Sequence, residues 1–137
     1  MALDQKIVVH FKDGKIWKGT SHDFSPGKDS FHLTVTGQLS HQKPIEIKFS
    51  ELKAIFFVKD FTGNKDYQVA KSFADAPKSA YGKKAIVRCK DGEVMYGFIQ
   101  GYAPNRPGFF LFPVDSKDNN LKIFILQTFM VQVDFPE

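Results

Sequence analysis

The sequence predicts an all-β protein: two small five-stranded barrels in tandem, joined by a connector with a short helix. Three observations predict it. Short segments alternate apolar and polar residues, the period of a strand with one buried face. Asp13-Gly14 and Asp91-Gly92 separate such segments, and tight hairpins favour Asp-Gly because Gly accepts positive φ at no steric cost. The stretch Lys6 to Gly14 recurs as Lys84 to Gly92, 78 positions later.

The elements follow in order. Ile7, Val9 and Phe11 alternate with Val8, His10 and Lys12, a first strand with His10 on its solvent side. After Asp13-Gly14, Ile16 to Thr20 is the return strand, with Gly19 where a strongly bent strand needs a residue without Cβ. Ser21 to Ser30 is rich in Asp, Pro, Gly, Lys and Ser and reads as a loop. Phe31, Leu33 and Val35 share one face of the third strand, with His32 on the other. Gly37 to Pro44 is a polar loop, and Ile45-Glu46-Ile47-Lys48-Phe49 alternates again. Ser50 to Lys53 is a tight turn, and Ala54 to Val58 is the last strand. In the connector, Tyr67, Ala70 and Phe73 stand at helical spacing and Pro77 ends the helix. The second unit repeats the plan, so the bounds are 1–61, 62–83 and 84–137.

The repeat extends past the hairpin. Val9/Val87, Gly19/Gly97, Pro26/Pro104, Phe31/Phe109 and Leu33/Leu111 keep the spacing of 78. Beyond Val35 the matches Lys48/Lys122, Leu52/Leu126 and Asp60-Phe61/Asp134-Phe135 stand 74 apart, which a loop four residues shorter explains. The reading is a tandem duplication with approximate pseudo-twofold symmetry. Five short strands in about 55 residues is the size of an SH3-like or Sm-like barrel, and its few inward positions favour large side chains. That accounts for 15 Phe in 137 residues.

Asp13-Gly14, Gly19, Asp23 and Phe31-His32-Leu33 resemble the first half of the Sm-like signature. Asp91-Gly92, Gly97 to Tyr102 and Asn105 resemble it more closely, though Ala103 replaces the usual Asp and the RNA-contacting Arg-Gly or Lys-His pair is absent. The resemblance implies the fold, not the RNA site. Asp13-Gly14, Lys18-Gly19, Asp23-Phe24-Ser25-Pro26, Phe31-His32-Leu33 and Lys59-Asp60-Phe61 also resemble a family of uncharacterised bacterial domains. That resemblance implies the bounds of the unit and a bacterial, cytoplasmic setting, without an activity.

Composition narrows the function. Hydrophobic residues at 42% and charged residues at 25% are a globular balance. No apolar run reaches the roughly 20 residues of a membrane span, and the start lacks the apolar core of a signal peptide. The single Cys89 excludes an internal disulfide framework and falls in an inward register, as a core thiol. His10, His22, His32 and His41 all lie in the first unit; His22-Asp23 with His32 could be imagined as metal ligands, but His10 and His32 fall on the solvent side of alternating strands, where any polar residue serves. No nucleophile elbow or phosphate loop is present. Asp23-Phe24-Ser25-Pro26-Gly27 touches the cyclic-dinucleotide motif of PilZ barrels, but Arg88 and Arg106 are the only arginines. No enzyme, metal or cofactor is expected.

Two binding readings remain. A net charge of +4 and a pI near 9.1 suit nucleic acid, yet the lysines stand beside acids, the pattern of a solvated surface. A protein-binding module is the leading expectation, as a monomer or homodimer, with RNA binding as its rival. The candidate loops are His22, Asp23, Phe24 and Lys28 in the first unit and Tyr102, Asn105 and Arg106 in the second, because loops on a rigid barrel carry binding. Open edge strands also permit strand addition by a partner.

Overall fold

The computed structural model describes residues 5–36, 43–59, 82–99, 106–113 and 120–136. They are all-β. The first half holds β1 (Gln5–Phe11), β2 (Ile16–Ser21), β3 (Ser30–Val35), β4 (Ile45–Lys48) and β5 (Leu52–Val58). The second holds β6 (Lys83–Cys89), β7 (Val94–Ile99), β8 (Gly108–Pro113), β9 (Asn120–Leu126) and β10 (Met130–Asp134). Phe49–Glu51 forms a single 3-10 turn between β4 and β5. The strand expectations hold to within two residues. The expected helix, Tyr67 to Ala76, lies outside the described residues; of the connector 62–83 only Gly82 and Lys83 are described, and Lys83 already belongs to β6.

The two hairpins are built alike. Phe11 N donates to Lys15 O at 2.9 Å, and Cys89 N donates to Glu93 O at 2.9 Å. Asp13 and Asp91 each accept the amide two residues on, at 3.0 Å. Gly14 and Gly92 take φ of 96° and 89°, the left-handed conformation that a three-residue hairpin loop requires. At Gly19 and Gly97 the reason for glycine is close approach. A Cβ there would land on the carbonyl oxygens of Thr34 and Phe112 in the neighbouring strands.

All ten strands form one antiparallel sheet, in the order β10-β6-β7-β8-β9-β5-β1-β2-β3-β4, and it is not closed. The expected separate barrels are therefore joined into a single sheet through β5 and β9. Within each half the order is the same: last strand, then first to fourth. The register repeats too. Phe31 faces Ile47 as Phe109 faces Ile125, and His10 faces Ala54 as Arg88 faces Gln132. Lys12 N bonds Glu51 O as Lys90 N bonds Phe129 O. These pairs keep a spacing of 78 to the end of the fold. The spacing of 74 read from Lys48/Lys122, Leu52/Leu126 and Asp134 is corrected, since Leu52 corresponds to Met130 and Phe57 to Phe135. Side-chain likeness misled there because β4 and β9, and β5 and β10, face different surroundings. The halves also follow head to tail, so unlike edges meet at β5·β9. A twofold would join like edges, so the pseudo-twofold expectation is corrected as well.

The core is two clusters that share those joining strands. Ile7, Val9, Phe31, Leu33, Ile47, Phe49, Leu52, Ile55 and Phe57 fill the first, together with Phe124 and Leu126 from the second half. Ala85, Val87, Cys89, Met95, Ile99, Phe109, Leu111, Ile123 and Ile125 fill the second, together with Ala54, and Phe56 packs against it. β9 thus sends alternate side chains into opposite cores, and β5 does the same. Two buried faces explain why Ile123-Phe124-Ile125-Leu126 and Ala54-Ile55-Phe56-Phe57-Val58 are unbroken apolar runs, whereas strands with one wet face alternate.

Candidate functional site

Of the predicted site residues, Asp23 meets a residue outside the candidate loops, His32 of β3. Ser21 is 4% exposed at the end of β2, and its Oγ donates to Asp23 Oδ1 at 3.1 Å. The same oxygen accepts the His32 amide at 2.9 Å. Asp23 Oδ2 lies 2.7 Å from His32 Nδ1. Burial raises the Asp23 pKa, but hydrogen bonds from the His32 amide, the His32 ring and Ser21 outweigh it, and the carboxyl sits below its ordinary value. An ionised Asp23 accepts a hydrogen bond from Nδ1 of the half-exposed His32 ring.

This constellation has the residue types of a hydrolytic triad but not its connectivity. Ser21 bonds the carboxylate rather than the imidazole, the reverse of the order in which a triad histidine activates its serine. The three groups fasten the loop after β2 to β3. Among the described residues no cluster of His, Cys, Asp and Glu could hold a metal ion. Cys89 is buried, and burial, then the charges of Glu93 and Asp91, push its thiol up to about 11, which keeps it unreactive.

The half-buried Phe24 packs its ring against other rings. Its centroid lies 5.2 to 6.1 Å from those of Phe31, Phe49, Phe57, Phe110 and Phe124, mostly edge-on. It caps the first core. His22 and Lys28 are exposed on the loop, and Arg106 is exposed before β8. Tyr102 and Asn105 lie outside the described residues.

One further histidine has surroundings that differ from expectation. His10 was expected at the solvent but is half-buried, its ring 4.5 Å from that of Phe56. The outer side of β1 is sheltered where the halves join. Burial first, then the Lys53 charge, push its pKa down to about 4, with Asp91 pulling the other way. Lys53 bridges the halves: its Nζ lies 2.6 Å from Asp91 Oδ2 and 5.1 Å above the Phe129 ring.

Sequence reading missed the outer face of β3 and β4. His32 stands opposite Glu46 and Ser30 opposite Lys48, with Ser30 Oγ donating to Glu46 Oε2 at 3.4 Å. Glu46 and Lys48 are exposed, and β4 is the end strand of the sheet. At the corresponding places of the second half, 78 residues on, stand Ile99 for Ser21, Gly108 for Ser30, Phe110 for His32, Phe124 for Glu46 and Leu126 for Lys48. There the face is apolar and covered by the first half, with Phe124 at 0% and Leu126 at 2% exposure. The signal was the alternation Glu46-x-Lys48 in a short strand whose counterpart is wholly apolar.

No curated protein and no solved structure matches the chain. A family model does, over residues 3–135. Because the match takes in all ten strands, the chain belongs to the family of unknown function DUF6982.

Proposed function

We propose that the protein is a non-enzymatic protein-interaction module of the bacterial cytoplasm, built from two tandem SH3-like or Sm-like units, whose docking surface is the outer face and free edge of β3 and β4. One observation carries the reading. The face that Phe110 and Phe124 present in the second half is an interface inside the molecule, and the same face of the first half is exposed. Its side chains are polar, and its loop is fastened by Asp23 and His32, which suits a rigid surface that meets a partner reversibly. The Ser21-Asp23-His32 connectivity supports binding rather than catalysis. The mixed charges of Asp23, Glu46 and Lys48 favour a protein over nucleic acid, whose phosphates select a basic stripe.

Affinity capture with the wild type, a Glu46→Ala/Lys48→Ala variant and a control variant at the far edge, Gln132→Lys, tests the reading. A partner retained by wild type and Gln132→Lys and lost by Glu46→Ala/Lys48→Ala supports it. Equal capture by all three overturns it, as does tight binding of single-stranded RNA in fluorescence anisotropy that the β4 changes abolish.

A further inference from the structure

Two strands end the sheet, and they correspond to the two that join it. β4 corresponds to β9, and β10 corresponds to β5. A second copy could therefore be imagined to add β10 to β4 and continue the sheet head to tail. The residues forbid it. Glu46 and Lys48 stand where the β5·β9 junction has Phe124 and Leu126, and Gln132 and Asp134 stand where it has Ala54 and Phe56. Repeating that junction would carry these polar groups, three of them charged, into two cores, which costs far more than strand pairing returns. The register break between Met130 and Gln132 further blunts β10.

β4 can instead meet itself. We propose that a second copy of this chain pairs its β4 antiparallel with β4, about a twofold axis perpendicular to the sheet at Ile47. Such an axis keeps each side chain on its own face, so only residues of equal parity can stand opposite each other. A register centred on Glu46 sets that carboxylate opposite its own copy. One centred on Lys48 does the same to the ammonium group. The register centred on Ile47 sets Glu46 opposite Lys48 of the second copy, and Lys48 opposite its Glu46. It thereby forms two cross-strand ion pairs on the outer face. Every ladder among the described residues is antiparallel, and nothing among them pairs with the outer edge of β4. The pairing also shelters Ile45, an apolar side chain left 42% exposed beside that edge. His32, Ser30 and Asp23 line the same face from β3 and its loop, so they flank the ion pairs. The contact is short and self-complementary. It forms a dimer that stops at two, in contrast to the open chain a head-to-tail contact would give.

The inference rests on the docking edge proposed above but commits it to a second copy, and sedimentation equilibrium over about 5 to 500 µM separates the two, since dimer mass is a matter of concentration. Expected are a monomer–dimer equilibrium for the wild type and weakening by about tenfold in Glu46→Lys and in Lys48→Glu, each of which creates two like-charge pairs. Mixing Glu46→Lys with Lys48→Glu restores dimers as a heterodimer, and the Glu46→Lys/Lys48→Glu exchange restores them within one chain. Circular dichroism shows that the single variants fold. A wild type that is monomeric throughout overturns the inference, as does assembly beyond the dimer or a dimer indifferent to both charge changes. Capture of a different partner at β4 by a strictly monomeric protein would leave the docking edge standing while the second copy falls.

Discussion

At the scale of the residue, local chemistry and folded surroundings pull apart most clearly at His10 and Phe24. His10 looks like any polar residue of an alternating strand, yet it is half-buried against Phe56 and near Lys53. Its pKa falls from 6.5 to about 4. Between those values the unfolded chain binds a proton that the folded chain refuses, so stability falls as pH drops through that window. Urea titrations from pH 7 to pH 4 are expected to show wild type losing stability relative to His10→Phe, with the difference flat above pH 7. Phe24 sits in a loop of polar residues but touches five other Phe rings. Phe24→Ala should therefore lower stability by about 2 to 3 kcal/mol in thermal or denaturant unfolding, and leave partner capture unchanged once folded. Gly19 allows the backbones of β2 and β3 to approach. Gly19→Ala places a methyl group on a carbonyl oxygen and should cost about 2 to 3 kcal/mol by the same measurement.

At the scale of the element, the strands were legible because period-two alternation and Asp-Gly turns are local signals, set by one strand and its own hairpin. The limits of that legibility lie at β5 and β9. An unbroken apolar run says that a strand has two buried faces, but not which neighbour covers each. Leu126 was matched to Leu52 for its likeness, whereas the hydrogen bonds place Met130 in the position of Leu52. Phe124 shows what a joining strand needs. Phe124→Glu, the residue that β4 carries at the same place, would bury a charge in the first core and should unfold the protein or cost more than about 4 kcal/mol. Glu46→Phe leaves β4 folded at the edge and should be tolerated in stability. Paired denaturation curves of these two variants check the contrast.

At the scale of the whole molecule, the halves are not independent. Phe124 and Leu126 complete the first core, Ala54 completes the second with Phe56 packed against it, and Lys53 reaches Asp91 across the join. Residues 1–61 expressed alone would expose Phe56 and leave the first core without Phe124. We expect that fragment to be unfolded or aggregated by circular dichroism and light scattering, and adding residues 84–137 in trans to recover structure. The sequence by itself determined the strands, their turns and the inward phenylalanines, because each depends on neighbours a few residues away. Tertiary structure alone decided three things. The two halves share one open sheet, Asp23 and His32 fasten the loop after β2 to β3, and β4 is the polar counterpart of a buried strand. Each depends on which distant face covers which strand, and hydrophobic patterning marks a face as covered without naming what covers it.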